Sequence, residues 1–360
     1  MTLSAFQRMV RLAATAAVAV VLGLPAVPVA AETQSRTRST RPAAPASQQS
    51  RVSKPPSAKK SYSATVARAR RARVAKARAE ASVRNAREIQ TPRFKIDELG
   101  QEVPDVRAAA AIIYNPETNQ VLWESNAQDQ RSIASITKVM TALVFLESGT
   151  PLETPVTVER ADVTRASTTY LRAGYKVTAD DLLHLLLIGS DNAAARALAR
   201  ISPYGTDGFI DHMNQKAAEL GLQQTQYADP SGLLATNVSS AYDMARLIAY
   251  ASADERIGTV MRKASHTVFA GKRTINVNST NQLVKTGEYD VLGGKTGFIG
   301  RSGYCLATLL RLPQSGQQVA VVVLGANSNQ GRFWETRHLF NWLNTHTQKL
   351  LGIGQPQPQE

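Results

Sequence analysis

The sequence predicts a mixed α/β (α+β) fold, in which an antiparallel sheet is built from both ends of the folded region and a helical region is inserted between them. Three observations predict it. A strand-turn-strand pattern covers residues 109–124, two strongly apolar helical stretches and an alanine-rich one come next, and residues 304–311 and 319–324 again read as strands before a last amphipathic helix. No internal repeat or second folded domain is evident, and the clearest change of composition falls between residues 90 and 95.

The first residues read as an export signal over 1–31. Arg8 and Arg11 form a basic start, Ala13 to Leu24 a short apolar core, and Val29-Ala30-Ala31 a small-residue cleavage site, with cleavage placed after Ala31. The apolar core is short and alanine-rich for a membrane span, although an uncleaved anchor is the alternative. The expectation is an exported, periplasmic protein. Residues 32–92 read as a disordered basic linker rich in Ala, Arg, Ser and Pro, with an Ala/Arg stretch over 63–90 that could become helical on contact. Residues 1–90 carry 17 basic and 3 acidic side chains, whereas 91–360 carry 25 of each. The net charge of +14 therefore belongs to the tail. The folded part makes no electrostatic case for nucleic acid, and the tail is suited either to weak association with an anionic envelope or to service as a solvated tether.

The folded region is placed at 93–347, with a disordered Pro/Gln tail over 348–360. Ala109 to Tyr114 and Gln120 to Glu124 read as a hairpin across Asn115-Pro116-Glu117-Thr118-Asn119, covered by an apolar helix starting near Ser135. Pro155 to Glu159 is a short strand. A second apolar helix from about Ala179 stops at Gly189, and an Ala-rich helix comes after it, so Ser190 and Asn192 fall on a turn within the helical region. Asp207 to Leu220 and a stretch capped by Ser239 or Ser240 are further helices, with strands at Thr267 to Ala270 and Thr274 to Val277. The single cysteine, Cys305, lies in an apolar strand and reads as a buried structural thiol.

The chemistry is carried by three short elements in order. Ser135-Ile136-Thr137-Lys138 puts a hydroxyl and an amine at a spacing that shares one helix face. No Asp-His pair is evident to activate a serine, and the five histidines share neither a motif nor metal-ligand spacing; His184 and His338 read as packing residues in apolar helices. A neutral lysine can act as the base when burial and nearby positive charge favour its deprotonated form, which points to Lys138 with Lys295 as the neighbouring cation. Ser190 would relay the proton to the leaving amine. Asn192 would hold a substrate amide and contact Lys138, and Asp191 is structural.

In the third element, Lys295 and Thr296 offer an ammonium and a hydroxyl to a carboxylate, and Gly297 lets substrate pass close to the backbone. Backbone N-H groups of Ser135 and Phe298 are the expected oxyanion donors. A second Lys-Thr-Gly at 285–287 lacks the following apolar strand, so the copy at 295–297 is preferred. No metal or cofactor is called for.

With Ser135-Ile136-Thr137-Lys138, Ser190-Asp191-Asn192 and Lys295-Thr296-Gly297 in this order, the chain resembles low-molecular-mass penicillin-binding proteins of the D-alanyl-D-alanine carboxypeptidase/endopeptidase family. Arg131 to Ala134, Met140-Thr141-Ala142, Asp229 to Leu233 and Asn278 to Asn281 match as well, and the resemblance spans roughly residues 98–345. It implies a β-lactamase/DD-peptidase-like fold with an inserted all-helical subdomain. It also implies peptidoglycan stem peptides as substrate, an acyl-enzyme on Ser135, and β-lactam antibiotics as ligands. No C-terminal β-rich domain or amphipathic membrane helix comes after the last helix, which resembles the short endopeptidase branch. That branch often has an acidic residue and an Ala in place of Arg301-Ser302, a departure here. A serine β-lactamase would need a deacylating Glu three residues before a Leu-Asn pair, which is not found between the second and third elements. A non-catalytic wall-binding protein would not need the intact set of side chains.

Overall fold

The structure is a computed structural model that describes residues 59–351, with the side chains of Asn85 and of both ends left undescribed. The signal segment, the first part of the linker and the end of the tail lie outside the described residues. The chain divides into units Met1–Thr65 and Val66–Glu360, and the sheets and the three catalytic elements all belong to the second. Helix α1 (Lys59–Gln90) covers the Ala/Arg stretch 63–90 read as able to become helical, within the segment expected as a disordered linker. Alanine and arginine are strong helix formers, and 32 residues is long enough to propagate past a costly nucleus. Its described side chains are almost all exposed. A small hairpin, β1 (Phe94–Ile96) and β2 (Glu102–Pro104), comes next.

The central sheet begins with β3 (Ala110–Asn115) and β4 (Gln120–Ser125). After β5 (Arg131–Ser132), a 3-10 turn (Ala134–Ile136) leads into α2 (Thr137–Glu147). The helical region then runs through β6 (Pro155–Thr157), α3 (Arg160–Val163), β7 (Lys176–Thr178), α4 (Ala179–Ile188), α5 (Asn192–Ile201), α6 (Gly205–Glu219), β8 (Val238–Ser239), α7 (Ala241–Ala253) and α8 (Glu255–Met261). Next come the β9 (Ser265–Ala270) and β10 (Arg273–Asn278) hairpin, α9 (Gln282–Thr286), β11 (Asp290–Ile299), β12 (Gly303–Arg311), β13 (Gln318–Ala326) and α10 (Asn329–Leu351). The sheet order is β11-β12-β13-β3-β4, antiparallel throughout, so the two ends of the folded region do meet in one sheet.

Side-chain alternation assigns the two faces of the sheet. Ala110, Ile112 and Tyr114 of β3 join one core with the helical region, whereas Ala111 and Ile113 join another with Phe333, Leu339 and Leu343 of α10. β13 is covered on both sides, which is why it reads as a continuous apolar run rather than an alternating one. Helices α7 and α10 lie on the sheet. The expectation that the helix after Ser135 covers the hairpin is corrected: α2 packs among α4, α5, α6 and α7, and nearly every residue of it is buried. Such a helix, apolar on most faces, belongs inside a helical layer.

Candidate active site

Ser135 sits in the 3-10 turn rather than in α2, which starts two residues later. The turn is pinned from both sides. Arg131 and Ser132 pair with Ser239 and Val238, the Ile133 amide donates to Asn237 O at 3.1 Å, and Ile133 and Ile136 are buried anchors. Ala134 is forced to a φ of +48°, a conformation that costs a non-glycine residue about 1 kcal/mol or more and persists only when its surroundings impose it.

The turn and the first residues of α2 bring Lys138 Nζ to 2.9 Å from Ser135 Oγ. The amine also lies 2.6 Å from Asn192 Oδ1 and 2.5 Å from Ser231 O. Two of these partners are carbonyl oxygens, which only accept; the third is a hydroxyl, which can donate. An ammonium can donate to all three oxygens, and a neutral amine can donate to the two carbonyls and turn its lone pair to the serine proton, so the geometry accommodates both states of the base. Electrostatics bring the neutral state within reach: Lys138 is fully buried, and burial above all brings its pKa down to about 7 against the pull of Asp229 and Asp191.

Asp229-Pro230-Ser231-Gly232 presents the Ser231 carbonyl. The Asp229 carboxylate accepts from Ser231 N at 2.7 Å, Ser231 Oγ at 2.5 Å, Gly232 N at 2.9 Å, Leu234 N at 2.8 Å and Asn237 Nδ2 at 2.6 Å. Gly232 has φ +77°, and a Cβ there would run into the Ala134 carbonyl. The turn thus packs directly behind the one that carries Ser135.

The second element stands at a helix break. Ser190 takes φ +60° between α4 and α5. Asp191 caps α5 through Ala194 N at 2.9 Å and also accepts from Tyr170 N and Thr169 Oγ1, a structural role. Asn192 is the first residue of α5 rather than part of the turn. Its amide nitrogen donates to Ala166 O at 2.7 Å while its oxygen meets Lys138, so both ends of the carboxamide have partners within the protein.

The third element lies on β11. Lys295 is buried and reaches Ser190 Oγ at 2.8 Å and Thr296 O at 3.0 Å. Burial, then the positive charges of Lys138 and Arg332, hold its pKa well below the usual lysine range. The Thr296 hydroxyl meets that of Thr280 at 2.6 Å. A Cβ on Gly297 would lie 2.6 Å from Ile133 O and 3.2 Å from Ser135 N, so only glycine lets this strand close on the serine turn. Lys285-Thr286-Gly287 instead ends α9, with Gly287 as its left-handed cap and Lys285 exposed.

These pieces line one cavity of about 550 Å³, whose walls include Ser135, Ser190, Asn192, Thr296, Gly297 and Phe298. Lys138 and Lys295 do not line it: they are buried behind Ser135 and Ser190, whose hydroxyls they contact. Arg332, on α10, was not singled out from the sequence and lines the same cavity. It is buried, donates to Gly297 O at 3.0 Å and Cys305 O at 3.1 Å, and has no carboxylate partner among the described residues. Burial lowers its pKa to about 10. Thr168 and Thr280 are further polar lining residues to which the sequence assigned no role in the site. Cys305 is fully buried and burial raises its pKa, as befits a packing thiol. His184 stacks on His266 at 3.9 Å, and His338 meets Arg93 O at 2.8 Å; neither lines the cavity.

A hydroxyl facing a buried amine whose neutral form is accessible near pH 7, with a second lysine and an arginine nearby and no carboxylate on the cavity wall, can form and release an ester with an anionic acyl substrate. The family profile described as D-alanyl-D-alanine carboxypeptidase matches residues 97–328. A D-alanyl-D-alanine endopeptidase of Escherichia coli is 32% identical over 246 residues, covering 67% of this chain and 79% of the relative. One from Pseudomonas aeruginosa is 32% identical, with 67% and 78% covered. Among solved structures, a Streptomyces DD-transpeptidase superposes with a TM-score of 0.62 at 28% identity, over 66% of this chain and 97% of the other. A penicillin-binding protein of Listeria monocytogenes in its cefotaxime-bound form gives 0.60 at 28% identity, over 67% and 98%.

Proposed function

This chain belongs to the D-alanyl-D-alanine carboxypeptidase family of serine peptidases, and we propose that it works as a DD-peptidase on peptidoglycan stem peptides through an acyl-enzyme on Ser135. The observation that carries the reading is the buried Lys138 amine, 2.9 Å from Ser135 Oγ with its two other directions taken by carbonyl oxygens.

Lys138 takes the Ser135 proton as Oγ attacks the carbonyl carbon of a D-alanine residue. The tetrahedral oxyanion is met by the backbone N-H groups of Ser135 and Phe298, a contribution of about 3 kcal/mol per donor to the barrier. Ser190, held by Lys295, relays a proton to the leaving amine. Collapse leaves an ester between Ser135 and D-alanine, and water attacks it with the same groups serving in reverse. Thr296, with Lys295 behind it, receives the carboxylate beside the scissile bond. Gly297 keeps the strand close to the substrate, and Asn192 fixes Lys138.

The similarity to the D-alanyl-D-alanine endopeptidases of Escherichia coli and Pseudomonas aeruginosa favours cleavage of D-alanyl crosslinks in cell-wall remodelling. With that role goes a periplasmic site of action for the catalytic part, 93–347, carried on the basic segment. No described helix is long and apolar enough to cross a membrane. Purified protein incubated with crosslinked muropeptide dimers and with pentapeptide monomers tests this: dimers should fall to monomers. Release of D-alanine from monomers with dimers intact would overturn the endopeptidase preference.

A further inference from the structure

Beside the catalytic cavity lies a second, polar one of about 380 Å³ that the proposed chemistry does not use. Its walls carry two arginines, Arg131 and Arg301, together with Ser132, and no Asp or Glu. Neither guanidinium makes an ion pair or a side-chain hydrogen bond among the described residues. Arg131 Nε and the Ser132 hydroxyl are buried behind the cavity surface, so the charge the cavity presents comes from the outer part of Arg131 and from Arg301. Arg131 is half-buried and Arg301 exposed, and an anion between two guanidiniums gains charge-assisted hydrogen bonds from both. Two arginines on one polar cavity wall that carries no carboxylate are suited to an anion.

The position of the cavity says where that anion comes from. Ser132 stands three residues before Ser135, and Arg301 comes directly after Ile299 and Gly300, which line the catalytic cavity. Three residues of chain span at most about 10 Å, so the second cavity is within two or three peptide residues of the acylated carbonyl. We propose that this cavity binds a second carboxylate of the stem peptide, set two or three residues from the scissile D-alanyl bond, through the Arg131 and Arg301 guanidiniums. The proposal rests on the DD-peptidase reading for its substrate. A planar carboxylate suits the donor fork of arginine, which gives orientation as well as affinity. The subsite would select acidic peptides over their amidated forms.

The test uses two synthetic peptides ending in D-Ala-D-Ala that differ only in a carboxylate or a carboxamide at that distance. Hydrolysis is followed for the wild type, and binding to the full-length Ser135→Ala protein is read by calorimetry. The expected result is a preference for the acid of about tenfold in both kcat/KM and affinity, carried mainly in KM. Arg301 is exposed, so Arg301→Glu should fold; it is expected to invert the preference toward the carboxamide, and Arg131→Gln to reduce it. Equal handling of the two peptides by the wild type, or a preference that survives both substitutions, overturns the proposal. Discrimination in binding with no hydrolysis of either peptide and no acylation by penicillin would keep the anion site and reject the DD-peptidase reading.

Discussion

The Ser231 carbonyl oxygen lies 2.5 Å from Lys138 Nζ, joining residues 93 positions apart. It is held there by Asp229, whose carboxylate gathers five donors from residues 231–234 and a sixth from Asn237. Burial raises the Asp229 pKa, but donors from Ser231, Leu234 and Asn237 outweigh it and hold it below 3.8. Its contribution is therefore fully present above the unfolded value of 3.8 and lost as pH falls through the lower, folded value. Asp229→Ala should cost about 2–4 kcal/mol in urea unfolding at pH 7, less at pH 3, and slow acylation as the Lys138 partner loosens.

The Lys138 amine sets a pH limb. With a pKa lowered to about 7, it is mostly protonated at pH 6 and mostly neutral at pH 8. The second-order rate of acylation by a fluorescent penicillin should rise through this range with a midpoint near 7 and then level off. A rate flat from pH 5.5 to 8.5 would exclude Lys138 as the base.

The two Lys-Thr-Gly copies should separate completely. Lys295→Ala removes the partner of Ser190 and is expected to lose acylation by at least about a hundredfold. Lys285 is exposed at the end of α9, so Lys285→Ala should acylate at the wild-type rate. Stopped-flow acylation of both variants decides it.

Gly297→Ala puts a methyl 2.6 Å from Ile133 O and should push β11 away from the serine turn. A displacement of that kind costs about a hundredfold in rate when it misplaces reacting groups. Acylation kinetics alongside a thermal melt should show the rate falling far more than the stability.

Ser135 and Lys138 were legible because a three-residue spacing is a local relation, and Ser190, Asn192, Lys295 and Thr296 because their order was matched. Asp229-Pro230-Ser231-Gly232 was legible as a turn, but not as the support of Lys138, since that contact is fixed by tertiary packing. Arg332 gave no local signal: it sits on a helix 35 residues from the Gly297 carbonyl it holds. The positive φ of Ala134 and Ser190 contradicts local preference and arises only from the surrounding turns. In the fold, the joining of both ends of the chain in one antiparallel sheet was readable from element order, but the strand order within it was not. Which helix covers the sheet was not, because α2, α7 and α10 all carry apolar faces.

An ester on Ser135 is the step on which every other role in the site depends. Benzylpenicillin mixed with the purified protein, with intact-mass and peptide mass spectrometry of the product, measures it directly. The expected result is one penicilloyl adduct per chain, located on the peptide holding Ser135, long-lived, and lost in Ser135→Ala. An adduct at the wild-type level on the Ser135→Ala protein would contradict it, whereas rapid repeated turnover lost in Ser135→Ala would keep the ester and point to a β-lactamase.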